Sequence, residues 1–118
     1  DFGEMVLRSD KGHAYVRVDW FTPNGLPTWG DGRLFIQGTD GFIELRKYTD
    51  IGRPHVTNSL FLVNGEKNEL IPCDDADLPY FPCLVADVED RTETAVTQAH
   101  TFTTMELAIR AQMKAEGK

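Results

Sequence analysis

The dipeptide Asp40-Gly41, set between Arg33–Gly38 and Gly41–Lys47, constrains this chain more than any other feature. Asp-Gly between apolar runs of strand character is the strongest short-range hairpin signal, because both residues tolerate the left-handed backbone of a tight two-residue turn. The turn is therefore expected to centre on Asp40-Gly41. Just upstream, the run from Trp20 places a long loop, Thr22 to Gly32, between two strands. Pro23, Asn24, Gly25, Pro27, Gly30 and Gly32 punctuate its backbone, yet it carries an indole at Trp29 beside Asp31 and Arg33. A loop of that length between strands is more often functional than incidental.

The first two-thirds of the chain reads as β. Glu4–Arg8 and His13–Phe21 flank the turn cluster Ser9-Asp10-Lys11-Gly12. Alternation in the second run puts Ala14, Val16, Val18 and Trp20 on one face, and His13, Tyr15, Arg17, Asp19 and Phe21 on the other. After an irregular stretch, Tyr48 to Thr57, Ser59–Val63 and Lys67–Ile71 bracket Asn64-Gly65, which suggests a type I′ hairpin.

The tail changes period. Pro79 to Arg91 places Leu84, Val85 and Val88 at helical spacing, with Pro79 or Pro82 suited to the first turn. Thr103-Thr104-Met105-Glu106 has the form of a capping box with Thr103 as N-cap, and Phe102 and Leu107 stand at the staple positions. The helix is expected to run to about Lys114, with Met105, Ile109 and Met113 on one stripe. About six strands followed by two helices argue an α+β fold: an open, largely antiparallel sheet with the helices on one face. The second face would carry Tyr15, Phe21, Phe35 or its neighbours, and Phe61. Subunit or domain packing is the expected use of so aromatic a face, against an ordinary solvated face with scattered rings.

A length of 118 residues fits one domain. Lys and Arg number 12 against 19 Asp and Glu, a net charge of −7 that argues against nucleic-acid binding. No apolar run approaches the roughly 20 residues of a membrane span, and no segment at the start has the form of a signal peptide, so a cytoplasmic location is expected. The chain opens Asp1-Phe2-Gly3 without a Met and is expected to be a piece of something longer. Cys73 and Cys83 read as two reduced thiols rather than a disulfide, and no Cys-x-x-Cys occurs.

Among candidate chemical groups, His13, His55 and His100 lie far apart and none pairs at metal spacing. His100, just ahead of the expected last helix, would feel the positive helix end and stay neutral near pH 7, or would serve local hydrogen bonding there. Asp74, Asp75 and Asp77 read as a solvated acidic loop, with a cation site as the alternative. No nucleophile elbow and no Gly-x-x-x-x-Gly-Lys occurs. Gly30-Asp31-Gly32 resembles part of a phosphate loop, but a strand is expected after it where a dinucleotide fingerprint needs a helix. Trp29 can wall a pocket for a sugar or a nicotinamide ring by stacking, or can anchor the loop to its own sheet or a neighbour's.

The segments WFTPNGLPTWGDGRLFIQGTDGFIELRKYTDIGRP, LFLVNGE, DLPYFPCLVADVEDRTETAVTQAHTF and ELAIRAQ resemble the C-terminal domain of the glucose–fructose oxidoreductase, inositol dehydrogenase and rhizopine-catabolism (Gfo/Idh/MocA) family over essentially the whole chain. The turn Gly38–Glu44 looks like one common in that family. The WGDGRL loop and RTETAVTQAH look like a narrower subgroup. The resemblance implies an open mixed sheet, and residues 1–118 as a C-terminal substrate-binding and oligomerisation domain. It implies an N-terminal Rossmann domain absent from this chain, NAD or NADP as the cofactor of the whole enzyme, and self-association through the sheet face. The substrate would be a sugar, polyol or related hydroxy compound, met by Trp29, Asp31, Arg33 and His100. The family's Gly-rich fingerprint, its catalytic lysine segment and its Asp-x-x-x-His helix all lie upstream, so no catalytic, cofactor-binding or metal residue carries over. The piece alone is expected to be inert. The competing reading is a stand-alone, non-catalytic binding or scaffold module.

Overall fold

The computed structural model describes residues 2–73 and 75–118. In chain order they form β1 (Phe2–Arg8), β2 (His13–Asp19), β3 (Gly32–Gln37), β4 (Gly41–Lys47), β5 (Ser59–Asn64), β6 (Asn68–Ile71), α1 (Tyr80–Asp90) and α2 (Gln98–Ala115). The chain divides into two units, Asp1–Ala76 with the strands and Asp77–Lys118 with the helices. The fold is α+β, and each strand lies within two or three residues of its expected place.

The strands form two sheets where a single sheet of about six was expected. One is the β1–β2 hairpin and the other the meander β3-β4-β5-β6. Among the described residues every strand pairing is antiparallel. The division falls at the loop 20–31 between β2 and β3. Connection length alone does not set it, since β4 and β5 pair across the similarly long stretch 48–58.

Register gives the larger sheet two unlike faces. Leu34, Leu45, Leu60 and Ile71 align across it, as do Ile36, Ile43 and Leu62, making one face aliphatic. The other carries the rows Phe35, Glu44, Phe61, Leu70 and Gln37, Phe42, Val63, with the Phe35 and Phe42 rings 5.2 Å apart. Phe35 and Phe61 thus share a face. Tyr15, which was grouped with them, belongs to the separate hairpin and donates its hydroxyl to Glu4 at 2.8 Å. Among the described residues no hydrophobic side chain is buried, and the buried positions are Thr49, Asp50, Ser59 and Asp87.

Both expected hairpin turns shift. Gly38 donates its N–H to the Gly41 carbonyl at 2.8 Å, so the β3–β4 loop is Thr39-Asp40 and not Asp40-Gly41. Gly41 is needed for a different reason. It pairs with Asn64, and a Cβ at Gly41 would stand 2.8 Å from the Asn64 Cα, closer than side chains approach a backbone. In the β5–β6 turn Asn64 bonds Lys67, while the Asn64 side-chain oxygen accepts the N–H groups of Glu66 (2.9 Å) and Lys67 (2.7 Å). Neither Gly65 nor Glu66 has a positive φ, which a type I′ turn requires of both. The asparagine side chain closes the turn instead.

In the second unit, Pro79 is the N-cap of α1 and Pro82 lies in its first turn, where a missing N–H costs no helix bond. Arg91 ends α1 in the left-handed conformation, φ 58° and ψ 42°. The reversal turns the chain onto Asp87. Its carboxylate accepts the hydroxyl of Thr92 (2.7 Å), both N–H and hydroxyl of Thr94 (2.8 Å each), and the N–H of Ala95 (2.8 Å). These four neutral donors hold the Asp87 carboxyl well below the usual carboxylate range, the Thr94 and Ala95 amides contributing most.

The last helix starts earlier than expected. Its N-cap is Thr97, whose hydroxyl accepts the His100 N–H at 3.1 Å, and Glu93 accepts the Gln98 N–H at 3.1 Å. Thr103 is not a cap. Thr103 and Thr104 sit inside the helix and donate their hydroxyls back to the carbonyls of Ala99 (2.8 Å) and His100 (2.9 Å). Because these back-bonds let threonine persist within a helix, a Thr-x-x-Glu spacing did not mark the start.

Candidate substrate-binding site

The loop 20–31 leaves β2 and returns to β3, and its two ends are built alike. Arg17 and Asp19 at the end of β2 pair at 2.9 Å. Asp31 and Arg33 at the start of β3 pair through two hydrogen bonds, 2.7 and 3.2 Å. Spacing explains both pairs. Residues two apart on an extended chain share a face, so opposite charges there meet without a turn. Asp19 also accepts the Phe21 N–H at 3.0 Å, and that bond, followed by Arg17, keeps its carboxyl below the ordinary range. The hydrogen bonds Arg33 donates to Asp31 raise it further above its already high value.

Between these ends Leu26 bonds Pro23 at 3.0 Å, closing a turn that brings Trp29 back onto Trp20. The two indoles meet edge to face, centroids 5.1 Å apart at an interplanar angle of 68°. Such a pair stabilises by about 0.5–1.5 kcal/mol beyond the area it covers. Even so, Trp20 is 66% and Trp29 76% exposed, because both border a concavity of about 1050 Å³. Arg17, Asp19, Asp31, Arg33 and Tyr48 line it with them. A smaller hollow of about 520 Å³ lies against the same indoles, with Phe2 and Val18.

The lining carries two carboxylates and two guanidiniums, hence no net charge. Broad aromatic faces beside paired donors and acceptors suit a neutral ligand with one apolar side and several hydroxyls. Gly30-Asp31-Gly32 runs directly into β3, so no helix N-terminus follows to receive a pyrophosphate.

Of the expected site residues, Trp29, Asp31 and Arg33 come together here. His100 belongs to the other unit, within the first turn of α2 and not ahead of it. Trp20, the Arg17–Asp19 pair and Tyr48 were missed. The available signal was the mirrored pattern Arg-x-Asp before the loop and Asp-x-Arg after it. Asp74 of the acidic group lies outside the described residues. Among those described, no three His, Cys, Asp or Glu side chains gather as a metal site, and no helix is long and apolar enough to cross a membrane. Cys73 and Cys83 are both unbridged.

A second cluster lies in the stretch read as irregular. Asp50, 3% exposed, accepts two hydrogen bonds from Arg53 (2.9 and 2.7 Å), one from the Gly52 N–H (3.0 Å) and one from Arg46 (3.3 Å). Arg53 also reaches Ser59 at 2.8 Å, and Arg46 reaches Glu44 at 2.7 Å. Both guanidiniums lie over the Phe61 ring, 5.4 and 5.3 Å from its centroid. Arg53 above all holds the Asp50 carboxyl below its usual range. The Ser59 hydroxyl also donates to Asp50 at 3.4 Å, so both carboxylate oxygens are occupied within the fold and this cluster is structural.

No family model and no curated protein matches the chain. A solved structure does. The chain is similar to a protein named "putative oxidoreductase" from Erwinia carotovora atroseptica SCRI1043, whose crystal structure extends to 1.25 Å, with 45% sequence identity and a TM-score of 0.89. The likeness covers 96% of this chain and 34% of that one, so the chain spans about a third of the length of the protein it matches.

Proposed function

We propose that this chain is the substrate-binding part of an oxidoreductase acting on a sugar, polyol or related hydroxy compound. The observation that carries the reading is the single concavity shared by Trp29 and the Asp31–Arg33 pair. The indole takes the C–H face of the substrate, while the carboxylate and guanidinium exchange hydrogen bonds with its hydroxyls. The likeness to the Erwinia protein supports an oxidoreductase kind. In this reading NAD or NADP is held by a Rossmann domain outside these residues, which also supplies the groups that move the proton and hydride. This chain binds and orients. His100 is retained as a substrate contact in the assembled enzyme.

The test is Trp29→Ala in the full-length enzyme. KM is expected to rise about tenfold, the equivalent of about 1.4 kcal/mol of stacking, a larger effect than the loss of stability from breaking the Trp20–Trp29 pair. A variant that is destabilised but keeps its KM would make Trp29 a loop anchor instead.

The aromatic sheet face is the proposed self-association surface. Phe35 is 58% exposed beside Phe42, and the row also contains Phe61. Sedimentation at micromolar concentration is expected to show an oligomer that Phe35→Glu dissociates. A wild-type protein that stays monomeric would remove this part of the proposal.

A further inference from the structure

Tyr48 has a backbone conformation that a tyrosine rarely adopts, φ 74°. In that region the Cβ of an L-residue crowds the following carbonyl, and a bulky side chain there is a genuine outlier. Such strain persists only where the surroundings over-determine it. Here they do so from both sides. Lys47 before it is fixed in the β4 ladder opposite Gly32, and Thr49 and Asp50 after it are buried, Asp50 in the cluster with Arg46, Arg53 and Ser59. The Tyr48 N–H also donates to the Asn58 side chain at 3.4 Å.

The strain does not serve packing, since the tyrosine is half exposed. It sends the ring across the start of β3, where a Cβ added at Gly32 would lie 3.7 Å from the Tyr48 Cε2. The ring lines the same concavity as Trp29 and the Asp31–Arg33 pair. A lysine ammonium lies 5.1 Å from the ring centroid, which occupies one ring face without covering the edge or the hydroxyl. We infer that Tyr48 is a ligand-contacting residue of this site, presented to it by a left-handed backbone that the Asp50 cluster holds in place. The inference rests on the reading of the concavity as the substrate site.

Relief of strain and loss of a contact have opposite signs, and that separates this role from a structural one. The chain's 2 tryptophans are both in the concavity, so their fluorescence reports its occupancy. Titrating the wild-type protein with D-glucose and D-sorbitol, and repeating with Tyr48→Asn, Tyr48→Gly, Tyr48→Phe and Trp29→Ala, gives the test. Tyr48→Asn and Tyr48→Gly are expected to raise the thermal midpoint by about 2–5 °C, because both residues accept a positive φ. They are expected to weaken probe binding about tenfold, while Tyr48→Phe keeps the stacking surface and stays within about threefold. If Tyr48→Asn and Tyr48→Gly bind as tightly as wild type while Trp29→Ala binds weakly, the inference fails and the site reading stands. If Trp29→Ala also binds normally, or wild type binds neither probe, the site reading fails and takes the inference with it.

Discussion

Asp50 and Asp87 are both nearly withdrawn from solvent, at 3% and 8% exposure, and they are satisfied in opposite ways. Asp50 lies against two guanidiniums, each still about one-third exposed at its side chain. Among the described residues Asp87 meets no cation: two backbone amides and two threonine hydroxyls fill its oxygens. An ionised carboxylate can be buried against opposite charge or against oriented dipoles, and both lower its pKa. What differs is who is left behind when the acid goes. The arginines can turn to water, but the amides of Thr94 and Ala95 are fixed by the turn that Arg91 creates.

That contrast sets the largest expected effect. Asp87→Ala is expected to lower the thermal midpoint by about 4–8 °C, as it strands donors that cannot move. Asp50→Ala is expected to lose less, because Arg46 keeps Glu44 at 2.7 Å and Arg53 gains solvent. Thermal melts followed by circular dichroism compare the two directly. A larger loss in Asp50→Ala would mean that charge, and not fixed amide geometry, dominates.

Neither cluster was legible in the sequence, for different physical reasons. Arg46, Asp50, Arg53 and Ser59 read as scattered polar residues around an irregular stretch. They converge because β4 and β5 pair so that Arg46 stands opposite Ser59. Asp87 has no distinguishing pattern in the sequence, since its partners lie beyond a helix end whose geometry depends on the left-handed Arg91. By contrast, the strands were legible because alternation and hairpin spacing are local. Their grouping into two sheets was not, because a long loop carries no pairing information. That Trp29, Asp31 and Arg33 line one concavity was legible because they lie close together where the loop enters β3. Trp20 and Tyr48 needed the loop's return path and a backbone outlier, and His100 was misplaced with the helix start.

Acid should separate the carboxylates less sharply than truncation. Both have folded pKa values below the ordinary aspartate value of 3.8, and the displacement is larger for Asp87. At acid pH the unfolded chain therefore binds more protons than the folded one. Each group's contribution is complete above the ordinary carboxylate range and is lost as pH falls through its folded value. The wild-type midpoint is expected to hold down to about pH 5 and to decline below about pH 4. Asp87→Asn should flatten that decline more than Asp50→Asn. Equal slopes in the two variants would contradict the ranking of the two sites.

Salt provides the smallest effect and the most selective one. Coulombic attraction between Asp50 and its arginines is screened where the guanidiniums meet solvent, but dipolar hydrogen bonds to Asp87 involve no partner charge to screen. Screening is weak for an acid whose side chain is only 2% exposed, so the change should be small. The measurement is the midpoint gap between wild type and each Asn variant at about 0.05 M and about 1 M NaCl. Nonspecific salt effects on apolar surface act on all three proteins and cancel in the gap. For Asp50→Asn the gap is expected to narrow by about 1–2 °C, and for Asp87→Asn to stay constant. If both narrow together, Asp87 feels a charge that its four neutral donors do not supply, and the distinction between the two burials fails.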